Sequence, residues 1–140
     1  MSLKLTEDEA RQLNPLNLAF IGDTIWEGFI RDQIFPRYAG HPPSVLHQIC
    51  VSFVKAEAQS DAVEAILEQL TEAETTIFKR GRNQKSGHAP KNGVLADYKR
   101  ATGFEALIGY LYLTNQTERL NELMQASFVR LDQVEEEPNK

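Results

Sequence analysis

The chain has 140 residues, the size of one domain, and 41% hydrophobic with 25% charged residues excludes a disordered polymer. No apolar run approaches the ~18 residues that span a bilayer, so no membrane partner is expected. A net charge of -5 argues, taken globally, against a nucleic-acid binder held by diffuse positive charge, and the single cysteine, Cys50, excludes a disulfide framework or a Cys-rich zinc site.

Helix signals follow one another along the chain. Thr6 with Glu9 has capping-box spacing. Asn14-Pro15 reads as an N-cap and a first helical turn, and Leu16 to Ile30 then shows helical apolar spacing. Pro36 and the pair Pro42-Pro43 predict a loop. From Ser44 to about Leu70 the pattern is helical again, through Val45, Ile49, Phe53, Ala56, Val63, Ile66 and Leu70, with an interruption between Ala56 and Val63. Thr71 with Glu74 caps a short helix ending near Phe78. Helices from about Val94 to Leu113 and from Gln116 to about Leu131 follow, the second opened by Asn115 with Glu118 three residues on. Alternating strand patterns are absent. The expectation is one all-α domain over residues 1–131 and an acidic, frayed tail over 132–140.

The stretch Lys79 to Gly93, KRGRNQKSGHAPKNG, holds three glycines, one proline and almost no apolar residues, and reads as an exposed basic loop. Between Lys79 and Arg100 seven positive residues face one acid, Asp97, giving a local charge of +6. The other 118 residues therefore carry -11. Charge is segregated, and the total conceals a basic segment.

Two carboxylates fall on apolar helix faces. Asp23 shares its face with Leu16, Ala19, Phe20 and Ile30; Glu105 has Tyr98, Ala101, Thr102, Ile108, Gly109 and Tyr112 as same-face neighbours. Neither has a cation on its own helix face. Desolvated carboxylates without cations raise their pKa or gather around a hard divalent metal such as Mg²⁺ or Mn²⁺. The alternatives are exposure, a hydrogen bond from Tyr98 or Tyr112, or an arginine from elsewhere in the fold. Gly22, Gly103 and Gly109 each disfavour a helix interior by ~1 kcal/mol relative to alanine. Close helix approach offsets this and would bring the acid-bearing helices together; a simple kink is the other reading.

Phe20-Ile21-Gly22-Asp23, within NLAFIGDTIWE, resembles the signature helix of the ribonuclease III family, and Glu105-Ala106-Leu107-Ile108-Gly109, within TGFEALIGYLYL, resembles its second acidic motif. NPLNLAFIGD, RGRNQKSG and ATGFEALIGYLYL together resemble the family's short bacterial branch, Mini-ribonuclease III, which lacks a separate double-stranded-RNA-binding domain. The resemblance runs from about Leu13 to Met124. Four acidic positions of ribonuclease III proper are substituted: Leu16 and Ala19 stand where it has two further signature-helix glutamates, Thr102 where it has an aspartate, and Pro42-Pro43 near where it has another glutamate.

The resemblance implies the all-α ribonuclease III catalytic fold and an endoribonuclease cutting double-stranded RNA to 5′-phosphate and 3′-hydroxyl ends. It implies Asp23 and Glu105 as catalytic metal ligands for Mg²⁺, with Mn²⁺ able to substitute. The precursor of 23S ribosomal RNA is the implied substrate, in the cytoplasm, with a homodimer and a large-subunit ribosomal protein as further partners. It turns the basic loop from a merely solvated segment into an RNA contact through Arg80, Arg82, Asn83, Lys85, Ser86, Lys91 and Asn92. Glu27, Glu57 and Asp97 stand as candidates at the edge of the site. A non-catalytic double-stranded-RNA-binding dimer is the alternative, since several acidic positions are substituted. His41, His47 and His88 have no metal-ligand spacing, and Cys50 reads as a core thiol. Trp26, Phe29, Tyr110 and Tyr112 read as core or subunit contacts.

Overall fold

A computed structural model describes residues 4–85 and 94–136, and all regular structure among them is helical. Seven α-helices follow in order: α1 (Glu7–Arg11), α2 (Pro15–Tyr38), α3 (Pro43–Val54), α4 (Ala56–Val63), α5 (Glu72–Arg82), α6 (Leu95–Leu113) and α7 (Thr117–Glu136), with a 3₁₀ turn at Leu67–Gln69. α6 is the axis of the domain, packed by α2, α4, α5 and α7. Its run Ala101 to Gly109 is buried except at Glu105, as expected of a helix apolar nearly all round.

Local chemistry sets most boundaries. Thr6 and Glu9 form the expected capping box at α1, Asn14 accepts from the Leu16 N–H ahead of Pro15, and Thr71 with Glu74 closes the box at α5. Five expectations are corrected. α2 runs through Pro36, whose missing N–H removes one intrahelical bond in the last turn. There Arg37 donates two 2.7 Å hydrogen bonds to Asp132 on α7. That pair carries α7 past Leu131, so the stretch assigned to a tail is helical through Glu136. α3 breaks at Lys55, which takes an extended conformation between α3 and α4, one residue ahead of the window expected for an interruption.

α5 continues to Arg82, so Lys79 to Arg82 is helix and not loop; its basic last turn complements the negative end of the helix dipole. Asn115 does not cap α7. It sits at φ 59°, where its N–H donates to Tyr112 O and the next N–H, of Gln116, donates to Leu111 O. This is the left-handed close of α6, a conformation asparagine tolerates better than most residues.

The aromatic residues join the layers. Trp26 on α2 meets Phe104 on α6 edge-on at 5.0 Å between centroids, while its Nε1 donates to Phe53 O at the end of α3. Phe128 on α7 stacks on Phe53 at 5.4 Å. Tyr110 is buried and donates its hydroxyl proton to Glu7. Trp26 and Tyr110 are core residues, and Cys50 is a buried thiol.

Candidate metal centre between two helices

The site starts from two glycines. Gly22 on α2 and Gly109 on α6 lie where the helices cross, and a Cβ at Gly22 would stand 1.8 Å from Glu105 O. A Cβ at Gly109 would stand 1.9 Å from Leu18 O. Only two helices without side chains at these points come this close, which meets the expectation of close approach over that of a kink. A second crossing, of α5 on α6, uses Gly81 and Gly103.

The crossing brings Asp23, beside Gly22, against Glu105, four residues before Gly109, close enough that the Asp23 carboxyl acts on that of Glu105. Their environments differ. Asp23 is exposed, as are Leu16 and Phe20 on the same face of α2, while Ala19 and Ile30 are buried, so the face expected to be buried is covered only in part. Glu105 takes the burial instead. Burial, then the neighbouring Asp23, pushes its carboxyl up to about 8, against an opposing hydrogen bond from Gln59. No cationic side chain among the described residues offsets it.

Glu74 provides the contrast. Only 3% exposed, it accepts from Arg119 Nε at 2.9 Å and Nη2 at 2.8 Å, and it closes the Thr71 cap. Burial raises its pKa, but the Arg119 and Thr71 donors outweigh that and leave it below the usual range. One buried glutamate thus has an arginine from across the fold; the other faces an aspartate.

Two carboxylates meeting without a cation form a donor set suited to Mg²⁺, which is bound through one or two carboxylates and keeps much of its water. Among the described residues no group of three or more His, Cys, Asp or Glu side chains converges. The site is thus a two-carboxylate one, in keeping with the substitutions at Leu16, Ala19 and Thr102. Glu27 pairs with Arg31 one turn along α2 at 2.8 Å, and Glu57 is exposed and paired with Lys55. Asp97 sits in the first turn of α6, two turns before Glu105. None of the three joins the pair.

Gln59 on α4 was missed from sequence. It is 2% exposed; its Nε2 donates to Glu105 Oε2 at 3.1 Å and to Val54 O at 2.8 Å, and its Oε1 is buried without a partner among the described residues. A glutamine on the face of α4 shared with Ala62 and Val63 carries the same signal that singled out Asp23 and Glu105, a polar group on an apolar stripe.

The basic segment divides. Arg80 donates to the carbonyls of Arg11 and Leu13 and ties the last turn of α5 to the start of α2. Arg100 is paired with Glu64. Arg82 lies over the Phe78 ring and donates to Asn83 Oδ1 at 3.1 Å, while Lys79, Asn83 and Lys85 are exposed. Ser86, His88, Lys91 and Asn92 lie outside the described residues.

The Ribonuclease III domain family matches residues 16–116. Mini-ribonuclease 3 of Clostridium tetani is 47% identical over 121 residues, covering 86% of this chain and 80% of that protein. Mini-ribonuclease 3 of a Thermoanaerobacter species is 44% identical, covering 88% and 86%. The crystal structure of a protein from Fusobacterium nucleatum is similar at a TM-score of 0.73 and 33% identity, covering 82% of this chain and 91% of that one.

Proposed function

The chain belongs to the ribonuclease III family, in its Mini-ribonuclease III branch, and is an endoribonuclease on double-stranded RNA; from that premise we propose that Asp23 and Glu105 hold its catalytic Mg²⁺, which Mn²⁺ can replace. The observation that carries this is the carboxylate pair itself, one member partly buried and neither offset by a cation among the described residues. A divalent cation held there supplies a lowered pKa for water and positive charge against the scissile phosphate.

The protein's own contribution is placement. α6 holds Glu105 in a partly buried position, and α2 presents Asp23 at the exposed edge of the pair. No side-chain nucleophile is required, and the products are 5′-phosphate and 3′-hydroxyl ends. The three edge candidates, Glu27, Glu57 and Asp97, stay outside this reading.

RNA contact falls to Arg82, Asn83 and Lys85 on and after the last turn of α5, with Ser86, Lys91 and Asn92 beyond; Arg80 serves chiefly to fasten that turn. Phosphate contacts of this kind position a duplex without reading its sequence. A homodimer is supported by Phe20, 75% exposed, and Leu16, both on the Asp23 face of α2. Pairing through that face would set two sites side by side. The paired ends of precursor 23S ribosomal RNA, with a large-subunit ribosomal protein as partner, are the substrate reading that the resemblance supports. A cytoplasmic location accords with such a substrate, and no helix among the described residues is long and apolar enough to cross a membrane.

The test is cleavage of long double-stranded RNA in Mg²⁺ by the parent and by Asp23→Asn, beside RNA binding by both. The expected result is cleavage by the parent only, with binding retained in both. A parent that binds without cutting would return the non-catalytic dimer to favour.

A further inference from the structure

We propose that Gln59 is a positioning residue of the cation site: its Nε2 fixes the Glu105 carboxylate, and its Oε1 is the acceptor that a hydrated divalent cation completes. The inference rests on the two-carboxylate reading above.

The amide has only one sensible orientation. Val54 O, the last carbonyl of α3, and Glu105 Oε2 are both acceptors, at 2.8 and 3.1 Å, and both need the nitrogen of Gln59. Turning the amide over would set its oxygen against two oxygens. Oε1 is therefore left where no donor among the described residues reaches it. A buried acceptor without a partner is unfavourable, and natural folds satisfy nearly all of them.

The missing donor follows from the small ligand set. A cation bound by two carboxylates keeps most of its water, and water on a divalent cation is a strong donor that needs acceptors around it. Gln59 supplies one without adding a third negative charge. The break at Lys55 makes this possible: it starts α4 at Ala56, so that Gln59, one turn on, reaches back to the end of α3 and across to α6. Gln59 is thus held by α3 and cannot follow Glu105 if that side chain turns away.

The experiment is Mn²⁺ titration, read by electron paramagnetic resonance without RNA, of the parent, Asp23→Asn and Gln59→Met. Methionine keeps the length and removes both hydrogen-bonding ends. The expected result is tight binding by the parent, loss in Asp23→Asn, and binding about 10-fold or more weaker in a folded Gln59→Met. Saturating Mn²⁺ should then restore much of that variant's cleavage, and its RNA affinity without metal should match the parent's. Parent-like Mn²⁺ affinity in folded Gln59→Met overturns the inference and leaves the carboxylate pair standing; no Mn²⁺ binding by the parent overturns both. Should Gln59→Met fail to fold, nuclear magnetic resonance of the parent decides: the Gln59 side-chain amide signals should shift with Mg²⁺ occupancy. If they stay still while the Asp23 and Glu105 carboxyl signals move, the inference falls.

Discussion

Gly22 and Gly109 face each other across the crossing of α2 and α6, and each leaves a space that a single methyl group would fill with backbone atoms of the other helix, at 1.8 and 1.9 Å. The distance between Asp23 and Glu105 is therefore set by two residues that have no side chain. Gly22→Ala and Gly109→Ala should each destabilise the fold by about 3 kcal/mol or more, at the upper end of overpacking effects, and cleavage should fall with them. Gly28, also on α2, has nothing within 4 Å of an added Cβ. Gly28→Ala should stabilise by about 0.5–1 kcal/mol through helix propensity. Urea unfolding of the three variants checks both signs.

Glu105, partly buried, and Glu74, buried, should give opposite pH dependences in metal-free protein. Glu105 sits at about 8 when folded and in the ordinary carboxylate range near 4.5 when unfolded. The folded chain therefore binds the extra proton, and the contribution of this group is present below the unfolded value and lost as pH rises toward 8. Glu105→Gln should flatten that fall, and saturating Mg²⁺ should remove it. Glu74, held below its usual range, contributes above the unfolded value and loses its contribution as pH drops through the folded one. Arg119→Ala should cost about 3 kcal/mol at neutral pH by leaving Glu74 unpaired. Thermal unfolding across pH 4 to 9 measures both.

Arg80 and Arg82 are neighbours in sequence with different tasks. Arg80→Ala should lower stability by about 1–3 kcal/mol, because it strips donors from the Arg11 and Leu13 carbonyls. Arg82→Ala with Lys85→Ala should leave stability within about 0.5 kcal/mol. The double variant should bind RNA more weakly, with a shallower dependence on salt. Binding measured at several salt concentrations, beside denaturation curves, separates the two; an unchanged salt slope in the double variant would remove those side chains from the RNA surface.

Phe20→Glu should convert a dimer into a folded monomer, since it sets a charge into the apolar part of the exposed α2 surface at a side chain that contributes little to the core. Sedimentation velocity reads the mass. A variant that sediments as the parent does would place any dimer contact elsewhere.

Much of the site was legible because each relevant residue broke a local rule. Asp23 and Glu105 are acids among apolar neighbours, and Gly22 and Gly109 are poor helix formers inside helices; the crossing of α2 with α6 answers both oddities together, while Gly103 serves the crossing of α5 on α6. Caps were legible for the same reason, with Thr6, Asn14 and Thr71 each satisfying helix-end groups through their own side chains. What escaped was decided by distant contacts. The Arg37 pair with Asp132 extends α7, and α5 outruns Phe78 because Gly81 packs on Gly103 and Arg80 finds carbonyls near the start of α2. Asn115 has the composition of a cap at either end of a helix, and only its positive φ shows which. Burial was assigned to Asp23 as well as Glu105 because same-face spacing says which residues share a side and not whether anything covers it.

The most direct measurement of the central claim is an anomalous difference map from crystals of the parent soaked in Mn²⁺. The account predicts a peak between the carboxylates of Asp23 and Glu105, absent in crystals of Asp23→Asn. A Mn²⁺ peak elsewhere on the chain, with none between these two residues, would contradict it.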